Sequence, residues 1–196
     1  MRLILASASP RRAELLRAAG LEFEQTVVDV DEHVLPGEQT ADYVSRLARE
    51  KAERAWLKMS DHADVVLGAD TAVVIDSRIM GKPVDGSEAA AMLFELSGRV
   101  HQVMTGVHLR GRELQRGREL RLSGAETTSV WVRRLTADEI AWYVGTGEWR
   151  DKAGGYAIQG LASRFIPRIE GSYSNVVGLP VALVYDLLEK GWRPRT

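Results

Sequence analysis

The stretch LILASASPRRAELLRAAG, residues 3–20, passes from a short apolar strand into an amphipathic helix through Ser7, Ser9, Arg11 and Arg12. Ser9 is a good N-cap and Pro10 suits the first helical position. The junction therefore leaves backbone N–H groups and the positive end of a helix dipole facing outward. Small residues let a ligand approach the backbone, and two guanidinium groups stand beside those donors. This combination suits phosphate oxygens. The plainer reading is a capped helix with two solvated arginines. Arginine at a helix N-terminus works against the dipole, which favours a bound anion. No GxxxxGK[ST] occurs in the chain, so this is not a Walker loop.

Asp70 is the lone charge in VVLGADTAVVI, where Thr71 adds a hydroxyl. A buried carboxylate needs a partner or a metal. A turn between two strands would instead leave Asp70 in solvent; the apolar flanks favour the buried reading. Lys51 shares helical spacing with Val44, Leu47 and Ala55. It either snorkels past the core or points into a cleft. Lys82, in GKP, sits on a stiff loop, as a point charge or as an ordinary surface turn. Asp29, Asp31 and Glu32 in DVDEH are oxygen ligands suited to Mg²⁺, or else a solvated acidic loop.

DKAGGYAIQG combines Asp151, Lys152, Tyr156 and Gln159 with glycines that allow close backbone approach. Gln159 can donate and accept at once, as reading a nucleobase edge requires. The alternative is a glycine-rich turn around a buried tyrosine. GSYSNVVGLP is a second small-residue turn able to line the same cleft. His33, His62, His101 and His108 lack helical ligand spacing, which disfavours a histidine metal site. No GxSxG elbow occurs, which disfavours a serine hydrolase.

The elements that must position these residues follow from periodicity and punctuation. Strands are expected at residues 2–6, 23–28, 64–69 and 72–76, with a hairpin and short return strand after Asp76. Long antiparallel strands are expected at residues 100–110 and 120–134, around a polar loop at 111–119, and a last strand at 165–169. Helices are expected from Pro10 to a stop at Gly20, from a Thr40 cap to about Lys58, at residues 87–96, and at residues 180–189. Thr136 and Glu139 form a capping box for a helix ending near Gly145. Alternating strands and helices give way to antiparallel strands, so the sheet is mixed.

The chain has 196 residues, 45% of them hydrophobic, which is enough for one domain over residues 1–196 with a well-buried core, in one or two lobes. A formal net charge of −1 gives no general attraction to nucleic acid or to an anionic membrane. Cysteine is absent, which excludes disulfides, thiol nucleophiles and cysteine metal sites. The first apolar run is too short for a signal or a membrane span. A soluble cytosolic protein is expected.

SASPRR, GADT, GKP, SGRVHQVMTGV, DKAGGYAIQG and GSYSNVVGLP occur in this order along nearly the whole chain. Together they resemble the Maf family of nucleoside triphosphate pyrophosphatases, first linked to septum-formation inhibition. The resemblance implies a mixed α/β fold, with a twisted sheet, flanking helices and two lobes around a cleft, related to the inosine triphosphate pyrophosphatase fold. It implies hydrolysis of a nucleotide to monophosphate and pyrophosphate, a divalent metal (Mg²⁺ or Mn²⁺), and a homodimer. Asp70 matches the family's general base. Arg11, Thr71 and Gln159 match positions associated with substrate choice. Ser7, Arg12, Glu32, Lys51, Lys82 and Asp151 match residues lining the phosphate and metal cleft, with Glu32 and Asp70 facing the metal. GGYAIQ resembles the dTTP/UTP branch, which often has GAYGIQ, and not the 7-methyl-GTP branch. Two rivals differ in class. A nucleotide-binding regulator of division would bind without turnover, and a general phosphatase would release orthophosphate.

Overall fold

The first strand, β1 (Leu3–Ala6), is buried at every position. Leu3 and Leu5 enter one apolar cluster while Ile4 and Ala6 enter another. This two-sided burial is what a central parallel strand requires. It pairs in parallel with β2 (Glu24–Thr26) on one side and with β3 (Val65–Ile75) on the other. Between β1 and β2 runs α1 (Pro10–Ala18), and between β2 and β3 runs α2 (Thr40–Met59). The chain thus leaves β1 towards one neighbour and returns on the opposite side. That is a topological switch point, the place where open α/β sheets bind ligands beyond their strand C-termini.

The computed structural model describes residues 2–61, 63–112 and 118–191. His62 and the centre of the expected 111–119 loop lie outside them. The later elements are β4 (Arg78–Met80), α3 (Gly86–Leu96), β5 (Val100–Arg112), β6 (Glu119–Trp131), α4 (Ala137–Thr146), β7 (Arg168–Glu170), α5 (Tyr173–Val177) and α6 (Val181–Gly191). The seven-stranded sheet has the order β2-β1-β3-β5-β6-β7, with β4 paired to β3. β4 is antiparallel to β3, and β7 to β6, so the sheet is mixed as expected. Among the described residues no helix is long and apolar enough to cross a membrane.

Two compact units are distinguishable. Unit 1 comprises Met1–Asp70, Thr105–Glu126 and Gly178–Thr196; unit 2 comprises Thr71–Met104 and Thr127–Val177. Unit 1 holds the clusters around Leu5, Leu16, Leu67 and Leu188, and around Ile4, Ala52 and Val66. Unit 2 is built around Leu93, Val130, Tyr143, Trp149 and Phe165.

Four expectations change. Residues 64–69 and 72–76 form one strand, β3, rather than two around a turn. Asp70 is therefore in mid-strand. Thr40 is the first residue of α2, with Gln39 at the cap position. Residues 161–165 form a 3₁₀ helix, and β7 starts only at Arg168. Pro167 lacks the N–H that a longer strand would need. Ser9 occupies the N-cap of α1 but makes no side-chain cap bond; its own N–H donates to Ser7 Oγ at 3.2 Å. The capping box of Thr136 and Glu139 forms as expected.

Candidate active site

Two glycines let α2 lie directly on the sheet of unit 1. A Cβ at Gly68 in β3 would stand 2.1 Å from Ala48 O, and one at Gly106 in β5 would stand 2.4 Å from Val44 O. With no side chain at either point, the helix backbone touches the strands. Lys51, one turn beyond Ala48, is thereby delivered to Asp70. Lys51 Nζ donates to Asp70 Oδ1 at 2.6 Å and to Glu32 Oε1 at 2.7 Å. Lys51 is 9% exposed and Asp70 8%. A buried ammonium and carboxylate in hydrogen-bonded contact satisfy one another, which is the condition for either to be buried at all. Lys51 does not snorkel.

Glu32 is brought to this pair by α2. Arg46 donates to Glu38 and to the backbone oxygens of Asp31 and His33. Arg54 donates to Asp29 O, and Tyr43 Oη to Glu32 O at 3.0 Å. Burial, followed by the Asp70 and Glu32 carboxylates, pushes the Tyr43 phenol up to about 12. Of the three DVDEH acids only Glu32 reaches Lys51. Asp31 instead accepts the His33 backbone N–H, which with the His33 ring holds it below the usual carboxylate range.

The SASPRR junction ends β1 beside Asp70, because Ala6 pairs with Gly68. Its two arginines have different fates. Arg12 Nε donates to Gly178 O at 2.8 Å, and its Nη1 to Ala69 O at 2.8 Å and Ser7 Oγ at 3.1 Å. It braces the peptide before Asp70. Burial lowers its pKa, with the Asp70 carboxylate opposing the shift. Arg11 is partly buried, and its guanidinium makes no hydrogen bond or ion pair among the described residues. The first turn of α1 carries no acidic side chain. Its N–H groups have no intrahelical acceptors. An anion here meets a helix N-terminus and the Arg11 guanidinium.

In unit 2, Thr71 is partly buried, while Lys82, Asp151 and Gln159 are exposed. The GKP loop is pinned by Gly154 N–H donating to Gly81 O at 3.0 Å. Asp151 has a positive φ of 60°, which turns the chain into the DKAGGYAIQG loop. Tyr156 is buried as expected, its hydroxyl 2.7 Å from His101 Nε2.

His101 is itself 2% exposed, and burial pushes it down to about 4 from 6.5. Its neutral form is the one the fold accepts. The unfolded chain takes up a proton below about pH 6.5, and the folded one only below about pH 4. Stability should therefore fall by about 3 kcal/mol as pH drops through that window and level off beneath it. Denaturant titrations of the wild type and His101→Gln across pH 4–7 check this. Identical slopes for both proteins would remove His101 as the cause.

A family profile described as Maf-like protein matches residues 2–191. The chain belongs to the Maf-like family. A relative from Anaeromyxobacter dehalogenans (strain 2CP-C), named dTTP/UTP pyrophosphatase, is 49% identical over 193 residues, covering 98% of this chain and 95% of the relative. Relatives with the same name are similar to it in Geotalea uraniireducens (strain Rf4), at 49% over 188 residues with 96% and 94% covered, and in Hahella chejuensis (strain KCTC 2396), at 47% over 194 residues with 96% and 92% covered. The family expected from the six motifs is the family found.

In this Maf-like chain the carboxylates can be tested against a divalent metal. Among the described residues no group of three or more His, Asp or Glu side chains gathers around one point. Glu32 and Asp70 approach each other only across the Lys51 ammonium. Two carboxylates suit Mg²⁺, which prefers oxygen ligands, retains waters and takes the rest of its shell from substrate phosphates. Glu32 and Asp70 fit such a cation as a partial donor set. Reading the Maf-like sequence alone misses Tyr43, Arg46 and Gln25, whose Nε2 donates to Ser7 O at 2.6 Å. Tyr43 was detectable, since it shares helical spacing with Leu47 and Lys51. Arg46 and Gln25 carry no such signal.

Proposed function

We propose that this protein hydrolyses dTTP and UTP, and modified pyrimidine nucleotides of the same shape, to the monophosphate and pyrophosphate. The observation that carries the reading is Asp70: a carboxylate buried in mid-strand at a topological switch point, held by Lys51 and set beside the open N-terminus of α1. The names of the relatives support the same reaction.

In this reading Asp70 orients the attacking water and takes its proton as the water oxygen bonds to the α-phosphorus. The bond from that phosphorus to the bridging oxygen breaks, and pyrophosphate leaves. Lys51 holds the Asp70 carboxylate in place through its hydrogen bond. Arg11, Ser7 and the first N–H groups of α1 hold phosphate oxygens, Arg12 braces the strand ends, and Lys82 adds a further positive charge. Glu32 and Asp70 would hold a divalent cation, Mg²⁺ or Mn²⁺, which when bound offsets phosphate charge and polarises phosphorus. Thr71 and Asp151 are assigned to substrate orientation. Gln159 pairs with a carbonyl and an imide N–H, which thymine and uracil present side by side. We assign a homodimer and a cytoplasmic setting.

The test is a screen of nucleoside triphosphates with purified protein and Mg²⁺, reading pyrophosphate and orthophosphate separately. Pyrophosphate is expected, with dTTP and UTP preferred over CTP and ATP by roughly one to two orders of magnitude. Binding without any release would point to a regulator. Orthophosphate alone would point to a general phosphatase. Even turnover of all triphosphates would end the role of Gln159 as base reader.

A further inference from the structure

Gln159 is exposed and lies at the third position of a β-turn, closed by Gly160 N–H donating to Ala157 O at 3.1 Å. An exposed glutamine selects among bases only if its turn is rigid. The residue after the turn supplies the anchor: Leu161 N–H donates to Glu148 Oε1 at 2.9 Å. Gly160 is what admits that carboxylate, since a Cβ there would stand 1.6 Å from Glu148 Oε1. Glu148 is fixed in turn. It follows Gly147, the left-handed C-cap of α4, its N–H donates to Thr146 Oγ1 at 3.2 Å, and the next residue locks through Trp149 Nε1 to Val144 O at 2.9 Å.

This is a costly place for a carboxylate. It lies at the negative end of the α4 dipole. Its Oε2 is buried beside the equally buried Tyr143 hydroxyl. Burial, and then the Glu148 charge, pushes the Tyr143 phenol up. What the carboxylate holds is the turn, through the Leu161 N–H.

We infer that Glu148 is a specificity-determining positioning residue, which fixes the 157–160 turn so that Gln159 meets the pyrimidine edge. The inference rests on the proposed reading of Gln159 as base reader. Glu148 touches no substrate; it acts through the backbone of the turn.

The experiment compares kcat and KM for UTP and CTP in the wild type, Gln159→Ala, Glu148→Ala, Glu148→Gln and Gly160→Ala. Glu148→Ala should cut the UTP-to-CTP ratio of kcat/KM roughly tenfold, chiefly by raising KM for UTP. Glu148→Gln keeps an oxygen for the Leu161 N–H and should regain most of the ratio. Gly160→Ala displaces the same carboxylate from the other side and should match Glu148→Ala, which keeps the test open if that variant does not fold. Equal losses on both nucleotides, or an unchanged ratio where Gln159→Ala lowers it, overturn the positioning role and leave base reading standing. An unchanged ratio in Gln159→Ala overturns base reading, and this inference with it.

Discussion

Asp70→Asn is expected to lower kcat on UTP by roughly a hundred- to ten-thousandfold, the range for loss of a general base. The asparagine keeps the size of the side chain, and its amide oxygen can still accept from Lys51 Nζ, which stands 2.6 Å from Asp70 Oδ1. The strand and the SASPRR junction beside it therefore stay in place. What is lost is a group that can take a proton from water. Nucleotide binding, measured by calorimetry with the variant, should persist while pyrophosphate release nearly stops. Turnover within a few-fold of the wild type would remove Asp70 from the reaction. Loss of binding together with turnover would leave Asp70 a structural group, or one that acts through the cation alone, and not the base.

Lys51→Met should be strongly destabilising. It removes the ammonium that serves two carboxylates, one of them 8% exposed. Breaking a buried pair from one side typically costs about 3–5 kcal/mol, because the remaining charge is stranded. Replacing both partners by apolar side chains of similar volume is far less costly, since nothing charged stays behind. Denaturant unfolding of Lys51→Met should show a loss of that size, and the double variant Lys51→Met/Asp70→Leu should recover most of it. Both are expected to be inactive. A loss under 1 kcal/mol in the single variant would mean that water or relaxation already solvates Asp70.

The two variants separate the roles that one hydrogen bond joins. Asp70→Asn tests chemistry in a molecule that remains folded; Lys51→Met tests how far the fold depends on the same pair. The short distance between them is made by packing: α2 reaches β3 only because Gly68 has no side chain.

Local order was legible from the chain itself. The apolar run around Asp70, the capping box at Thr136 and Glu139, and the place of Lys51 on the apolar face of its helix depend on neighbours a few residues away. Spacing and caps act over that range. The motif order likewise identified the family. Tertiary structure decided which charge meets which. Asp70 lies nineteen residues from Lys51. The close seating of α2 on Gly68 and Gly106 joins them, and one strand runs through a point where the residue types alone also allow a turn. Arg11 and Arg12 look alike in sequence. In the fold Arg12 turns to Ala69 and Gly178 because their carbonyls lie beside it, while Arg11 keeps its guanidinium free of such bonds. The Glu148 contact beneath the Gln159 turn was equally invisible, since no local pattern marks a carboxylate whose partner is a backbone N–H thirteen residues on. Spacing carries information only along one element, and ion pairs between elements are set by how closely backbones can approach.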